Sequence, residues 1–222
     1  MLMAVDTSTQ MMGLALYDGD RVLGEMVWQT RNHHTVELAP AVDSLLKRCG
    51  VASDALSVLG VALGPGSFTS LRIGLALVKG MALGLHLPVV GVPTLDVLAA
   101  AQPLVRSPLV GVLQAGRSRM AVGWYTPGAA RWEAQGEAHG ATLAELEAEL
   151  DEQTVTVCGE LTAETRQALR RHKQVTLASP AQGLRRPSYL AELAWNRWQS
   201  GQTDEVVGLS PIYLHVAGVG LS

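Results

Sequence analysis

Hydrophobic positions along this chain follow two rhythms. Short, almost wholly apolar runs read as buried strands, and longer stretches with apolar residues every three or four positions read as helices. Residues 2–5, 14–17 and 21–28 read as three strands joined by turns at 7–10 and 18–20. From 36 to about 49, Leu38, Val42, Leu45, Leu46 and Cys49 share one helical face, with Pro40 in the first turns, where it is tolerated with some distortion. A buried strand at 58–63 stops at Gly64-Pro65-Gly66, residues that turn the chain sharply. A helix over 70–85 follows with Thr69 or Ser70 as its N-cap, then a strand at 89–92 and a helix from about Thr94. The order is β-β-β-α-β-α.

A second copy of that order starts after residue 108. Strands are expected at 109–113, 120–126 and within 131–138, then a helix at 143–150, a strand at 155–158, a helix at 162–171 and a strand at 174–177. Comparing VDTSTQMMGLALY with LQAGRSRMAVGWY suggests a weak internal duplication in which Gln114 takes the place of Asp6. The expected division is into lobes 1–105 and 106–222. A helix around 188–200, carrying Tyr189, Leu193, Trp195 and Trp198, either ends the second lobe or packs back on the first.

The helix over 70–85 is apolar or small almost all round, so it is buried on more than one side. Arg72, Lys79 and His86 are its strongly polar members, and it is too short and too charged for a bilayer span, which wants about twenty apolar residues. Gly74, Gly80 and Gly84 each cost about 1 kcal/mol of helix propensity relative to alanine. Close packing must compensate, either within this domain or against a partner.

Two segments could carry chemistry. The Gly64 to Ser67 turn opens a helix, where free N–H groups and the helix dipole suit a phosphate, or it is simply a tight strand-to-helix turn. It is neither a Walker loop nor a dinucleotide fingerprint. Asp6-Thr7-Ser8-Thr9 offers a carboxylate and hydroxyls, hard oxygen ligands that suit magnesium, or it is an Asx or Ser/Thr turn between strands. His33, His34 and Glu37 lack a convincing third ligand, so a metal is not expected there. Ser67 has no evident His and Asp partners, and neither cysteine sits in a nucleophile motif.

The 222 residues are 48% hydrophobic with one Phe and five Trp, which implies a sizeable, mainly aliphatic core. Seventeen basic and twenty acidic side chains give a formal charge of −3, which argues against gripping nucleic acid unaided. Arg166, Arg170, Arg171, His172 and Lys173, followed by Arg185 and Arg186, form a local basic cluster, read either as a solvated helix end or as a tRNA contact. Cys49 and Cys158 are far apart and read as buried thiols. Asp6 interrupts the first apolar run, so no secretion signal is read and a cytoplasmic protein is expected.

GPGSFTSLRIGLALVKGMALG with LPVVGVPTLDVLA, the opening MLMAVDTSTQMMGLALYDGDRVL, HHTVELAPAVDSLL and the closing PIYLH together resemble the TsaB (YeaZ) family of tRNA threonylcarbamoyladenosine biosynthesis. The resemblance is strong over roughly residues 1–100. It implies an α/β actin-like ATPase (ASKHA) fold of two β-β-β-α-β-α lobes, the second reduced. It implies a non-catalytic cytoplasmic subunit that binds and activates its paralogue TsaD, with the small ATPase TsaE joining and tRNA reached only through the complex. The complex would transfer threonylcarbamoyl to N6 of the adenosine 3′ of the anticodon. The implied partner surface takes Val36, Leu38, Val42 and Leu45 from one helix and Leu71, Arg72, Gly74, Leu75, Val78, Gly80 and Met81 from the next, and the same surface would also serve a homodimer. Asp6, Thr7, Ser8, Thr9, Gly64, Gly66 and Ser67 would form a degenerate nucleotide site. No cofactor is expected on the isolated chain, with ATP and magnesium at the partner interface or on the ATPase subunit. Two departures stand out: Leu113-Gln114-Ala115-Gly116-Arg117 replaces an Ile-Asp-Ala-Arg type segment, and His215 stands where arginine is usual. The alternative from another class is a stand-alone ATP-dependent kinase using Asp6 and the Gly64 to Ser67 turn.

Overall fold

A computed structural model describes residues 1–31, 33–116, 119–151 and 153–214. Two compact units emerge, one of Met1–Val97 with Arg185–Ile212 and one of Leu98–Leu184 with Tyr213 and Leu214. The division therefore differs from the expected 1–105 and 106–222. The chain leaves the first unit at residue 97 rather than 105, and returns to it at Arg185.

In the first unit the sheet order is β3-β2-β1-β4-β5, with β1 (Leu2–Asp6), β2 (Met11–Tyr17), β3 (Val22–Gln29), β4 (Val58–Ala62) and β5 (Val89–Val92). β1 pairs antiparallel with β2 and parallel with β4, so it is the central strand. Every residue of β1 is buried because both sheet faces are covered. Met3 and Val5 point to one face, where Leu38, Val42, Leu45 and Leu46 of α1 (His34–Cys49) and Leu75, Val78 and Ala82 of α2 (Phe68–Leu85) complete a core. Leu2 and Ala4 point to the other, against Leu190, Ala191 and Ala194 of a C-terminal helix (Pro187–Gln199). That helix packs back on the first unit, one of the two expected arrangements.

α2 is, among the described residues, the one helix long and apolar enough to cross a membrane by length and composition. It starts at Phe68 because Ser67, not Thr69 or Ser70, is its N-cap. Its inner side is locked into the core by Leu71, Leu75, Val78 and Ala82.

α3 (Thr94–Ala100) leads to the second unit, whose sheet runs β11-β10-β6-β7-β8, with β9 also pairing with β7. The strands are β6 (Leu109–Gln114), β7 (Met120–Pro127), β8 (Trp132–Ala134), β9 (His139–Ala141), β10 (Val155–Gly159) and β11 (Val175–Leu177). One face is covered by α4 (Leu143–Leu150) and α5 (Ala163–Leu169), with Leu146, Leu150 and Leu169 in its core. A capping box between Thr142 and Glu145 starts α4. The third strand expected within 131–138 is the three-residue β8, and the short β9 just after that range was not expected. The two sheets share one order, and Asp6 and Gln114 each close the first strand of their unit, as the duplication suggested. The C-terminal helix is α6.

Candidate functional site

The turn after β1 is buried: Asp6, Thr7, Ser8 and Thr9 are each at most 5% exposed. The Asx arrangement is present, since the Ser8 amide donates to Asp6 Oδ1 at 2.8 Å. Asp6 Oδ2 accepts from Arg185 Nε at 2.8 Å, and a terminal nitrogen of the same guanidinium donates to Thr9 Oγ1 and to the Met11 carbonyl, each at 3.0 Å. Thr7 Oγ1 donates to the Ser70 carbonyl at 2.8 Å, and Ser8 Oγ lies 2.7 Å from Thr94 Oγ1.

The glycine-rich turn is sewn to the same place. Ser67 N–H donates to the Ser8 carbonyl at 2.7 Å, and Thr94 Oγ1 accepts from Gly64 N–H at 2.9 Å. Gly64 has φ +103°, and a Cβ on Gly66 would collide with the Ser8 backbone, so both glycines answer a real constraint. The two segments named from sequence are thus brought together, and their polar groups face one another.

Arg185 is the residue that the sequence reading misplaced. Placed there in a basic cluster, it is 1% exposed and paired with Asp6. Arg186 pairs with Glu25, its nitrogens 2.6 and 3.0 Å from Oε2. Burial pushes the Glu25 carboxyl up, but hydrogen bonds from Arg186 and Ser188 outweigh it and hold that carboxyl below the ordinary glutamate range. Arg166 donates to the Ala178 carbonyl, and His172 lies between Glu147 and Asp151. Arg170, Arg171 and Lys173 remain exposed.

His33 and His34 diverge. His34 Nε2 lies 2.9 Å from the buried Thr9 carbonyl oxygen, while His33 faces Glu37 at 3.7 Å. Glu37 also accepts from Trp28 Nε1 at 2.9 Å, so these side chains hold β3, α1 and the acidic turn together. Among the described residues no group of three His, Cys, Asp or Glu could hold a metal.

The candidate partner residues divide by exposure. Leu38, Val42, Leu45, Leu71, Gly74, Leu75 and Val78 are buried within the first unit, so they set the spacing and orientation of α1 and α2. Val36, Arg72 and Gly80 are exposed and Met81 is half-buried. The sequence reading omitted Phe68 and Leu83, which are 56% and 62% exposed, beside Val36 at 66%. Arg72 lies over the Phe68 ring, 5.1 Å from its centroid. In the second unit, Gly116 has φ +142° with open space around it, and His215 lies outside the described residues.

The family model described as TsaD, tRNA N6-adenosine threonylcarbamoyltransferase, matches residues 22–196. The tRNA threonylcarbamoyladenosine biosynthesis protein TsaB of Bacillus subtilis is 42% identical over 99 residues, 45% of this chain and 43% of that protein. The match thus spans less than half the length of that relative. The structure of YeaZ from Pseudomonas aeruginosa superposes with a TM-score of 0.79 at 26% identity, covering 96% of this chain and 99% of that one. The AlfA filament bound to AMPPNP reaches a TM-score of 0.51 at 10% identity over 90% of this chain and 98% of that one, a likeness of fold alone. The architecture is the actin-like ATPase fold, and the chain belongs to the family that the TsaD model describes, within its TsaB (YeaZ) group.

Proposed function

We propose that this chain is a non-catalytic subunit of the machinery that makes N6-threonylcarbamoyladenosine in tRNA, and that it acts by binding and activating a TsaD paralogue. The observation that carries the reading is the outer face of the α1 and α2 pair. Its inner faces build the core, while Val36 on α1 and Phe68 and Leu83 on α2 are exposed, as are Ala39, Ala76 and Gly80. Large exposed apolar side chains on two packed helices favour a protein partner. A stable interface there buries about 1,200 to 2,000 Å² in total.

In this reading TsaE joins the heterodimer, tRNA is bound by the complex rather than by this acidic chain, and the assembly works in the cytoplasm. Any nucleotide belongs to the partner interface or to the ATPase subunit. The same helices pair two copies of the chain when the paralogue is absent. The alternative of a stand-alone kinase loses ground, because the Asp6 carboxylate it would need faces Arg185.

Light scattering on a mixture with the paralogue tests the proposal, alongside threonylcarbamoylation of an unmodified tRNA with and without this chain. A 1:1 heterodimer and a product requiring both proteins are expected. Separate elution together with full activity of the paralogue alone would sink it.

A further inference from the structure

In an actin-like fold that uses nucleotide, the acid and hydroxyls after the first strand serve a divalent cation and phosphates. Magnesium demands oxygen ligands in near-octahedral array at about 2.0 to 2.1 Å. The residues of this turn do not fit that group. Asp6 Oδ1 is engaged by the Ser8 amide and Oδ2 by Arg185 Nε. The hydroxyls of Thr7 and Ser8 face Ser70 and Thr94, and Thr9 Oγ1 accepts from Arg185 and from the Met11 amide. The amide of Ser67, where a phosphate would meet the helix, donates to the Ser8 carbonyl.

We infer that Arg185 takes the place of the divalent cation in this turn, which makes the turn a permanent internal clasp instead of a nucleotide site. A guanidinium suits the role. It stays charged at any physiological pH, and its planar fork reaches a carboxylate, a hydroxyl and a carbonyl at once. Side-chain exposures of 1% and 3% for Arg185 and Asp6 leave water little access to the pair. The clasp also has a place in the chain path. The backbone leaves the first unit just after Thr94 and re-enters at Arg185, and both residues end on the 6–9 turn. Here the protein's own side chains tie the two segments to the turn.

Titration of the wild-type chain with Mn2+ followed by electron paramagnetic resonance, and with magnesium ATP by calorimetry, should give no saturable binding at millimolar concentration. Binding that Asp6→Asn leaves intact also agrees, since Asp6 is then not the ligand. Saturable binding that Asp6→Asn abolishes overturns the inference. Arg185→Ala exposes the carboxylate, so its melting temperature should fall and be raised several degrees by Mn2+, an ion without effect on the wild type. Because that variant risks not folding, Asp6→Asn combined with Arg185→Gln serves as a neutral pair that Mn2+ should not stabilise. An Arg185→Ala chain as stable as the wild type, with or without Mn2+, also overturns the inference.

Discussion

Gly74 of α2 packs directly on Thr7 of the acidic turn. A Cβ on Gly74 would stand nearer to Thr7 Oγ1 than real side chains allow, with Thr7 Cγ2 at 3.0 Å and Cβ at 3.1 Å. Thr7 cannot swing aside without losing its hydrogen bond to the Ser70 carbonyl. The glycine therefore sets how closely α2 approaches β1, and its helix-propensity cost is offset by that contact.

Gly74→Ala is thus expected to destabilise the fold by about 1 to 3 kcal/mol, the usual cost of overpacking. Gly80 has nothing within 4 Å of its Cβ position, so Gly80→Leu should leave the urea midpoint nearly unchanged and act only on partner binding. Equal losses of stability in the two variants would contradict this assignment.

Leu83→Asp and Val36→Asp alter exposed side chains, so the isolated chain should melt within a degree or two of the wild type. Heterodimer affinity should fall more than about tenfold, or roughly 1.4 kcal/mol, by titration calorimetry against the paralogue. Undiminished affinity in both would move the interface away from α1 and α2.

The two cysteines should differ in reactivity. Burial pushes the Cys158 thiol up to about 12, so it carries almost no thiolate near neutral pH, while Cys49 is half-buried with its Sγ 3.5 Å from the Leu23 carbonyl. A colorimetric thiol reagent should titrate at most one group in the native chain and two in denaturant.

His172 sits between Glu147 and Asp151, and hydrogen bonds to the two carboxylates, Glu147 first, raise its imidazole above the ordinary range. A raised folded-state value stabilises the protein fully below the unfolded value of about 6.5, and that contribution is lost as pH rises through the folded value. The ring should titrate above about 6.5 by NMR. His172→Gln should cost about 0.5 kcal/mol on the acid side and nothing on the alkaline side, a small effect because the pair is partly solvated.

What could be read from the sequence follows from how local each determinant is. The strand at 89–92 is fixed by its own apolar run and by proline and glycine punctuation, and it appears at those residues. The start of α2 was less legible, because Phe68 is an apolar residue left in water and Ser67 belongs equally to the turn. In the second unit the strand expected within 131–138 is cut short as β8 before Gly136, with φ +74°, and β9 lies beyond the expected range. The acidic turn and the glycine-rich turn were visible as composition, but their mutual contact was not. Least legible was Arg185, whose partner lies 179 residues away and leaves no mark on the neighbouring sequence. Beside Arg186 it resembles any solvated charge run.

The return of the chain at residue 185 bears on synthesis as well as on the finished molecule. The bulk of the second unit is one uninterrupted stretch, 98–184, available to fold as soon as it has emerged. The first unit is begun earlier but waits for Arg185–Ile212. Until α6 arrives, Leu2, Ala4, Ala15, Val58 and Val90 present an uncovered apolar sheet face. On the ribosome most of the second unit is therefore in hand before the first unit, though begun earlier, can close. A nascent chain stalled before residue 185, or a fragment ending at 105, holds every strand of the first sheet and still exposes the surface that drives aggregation.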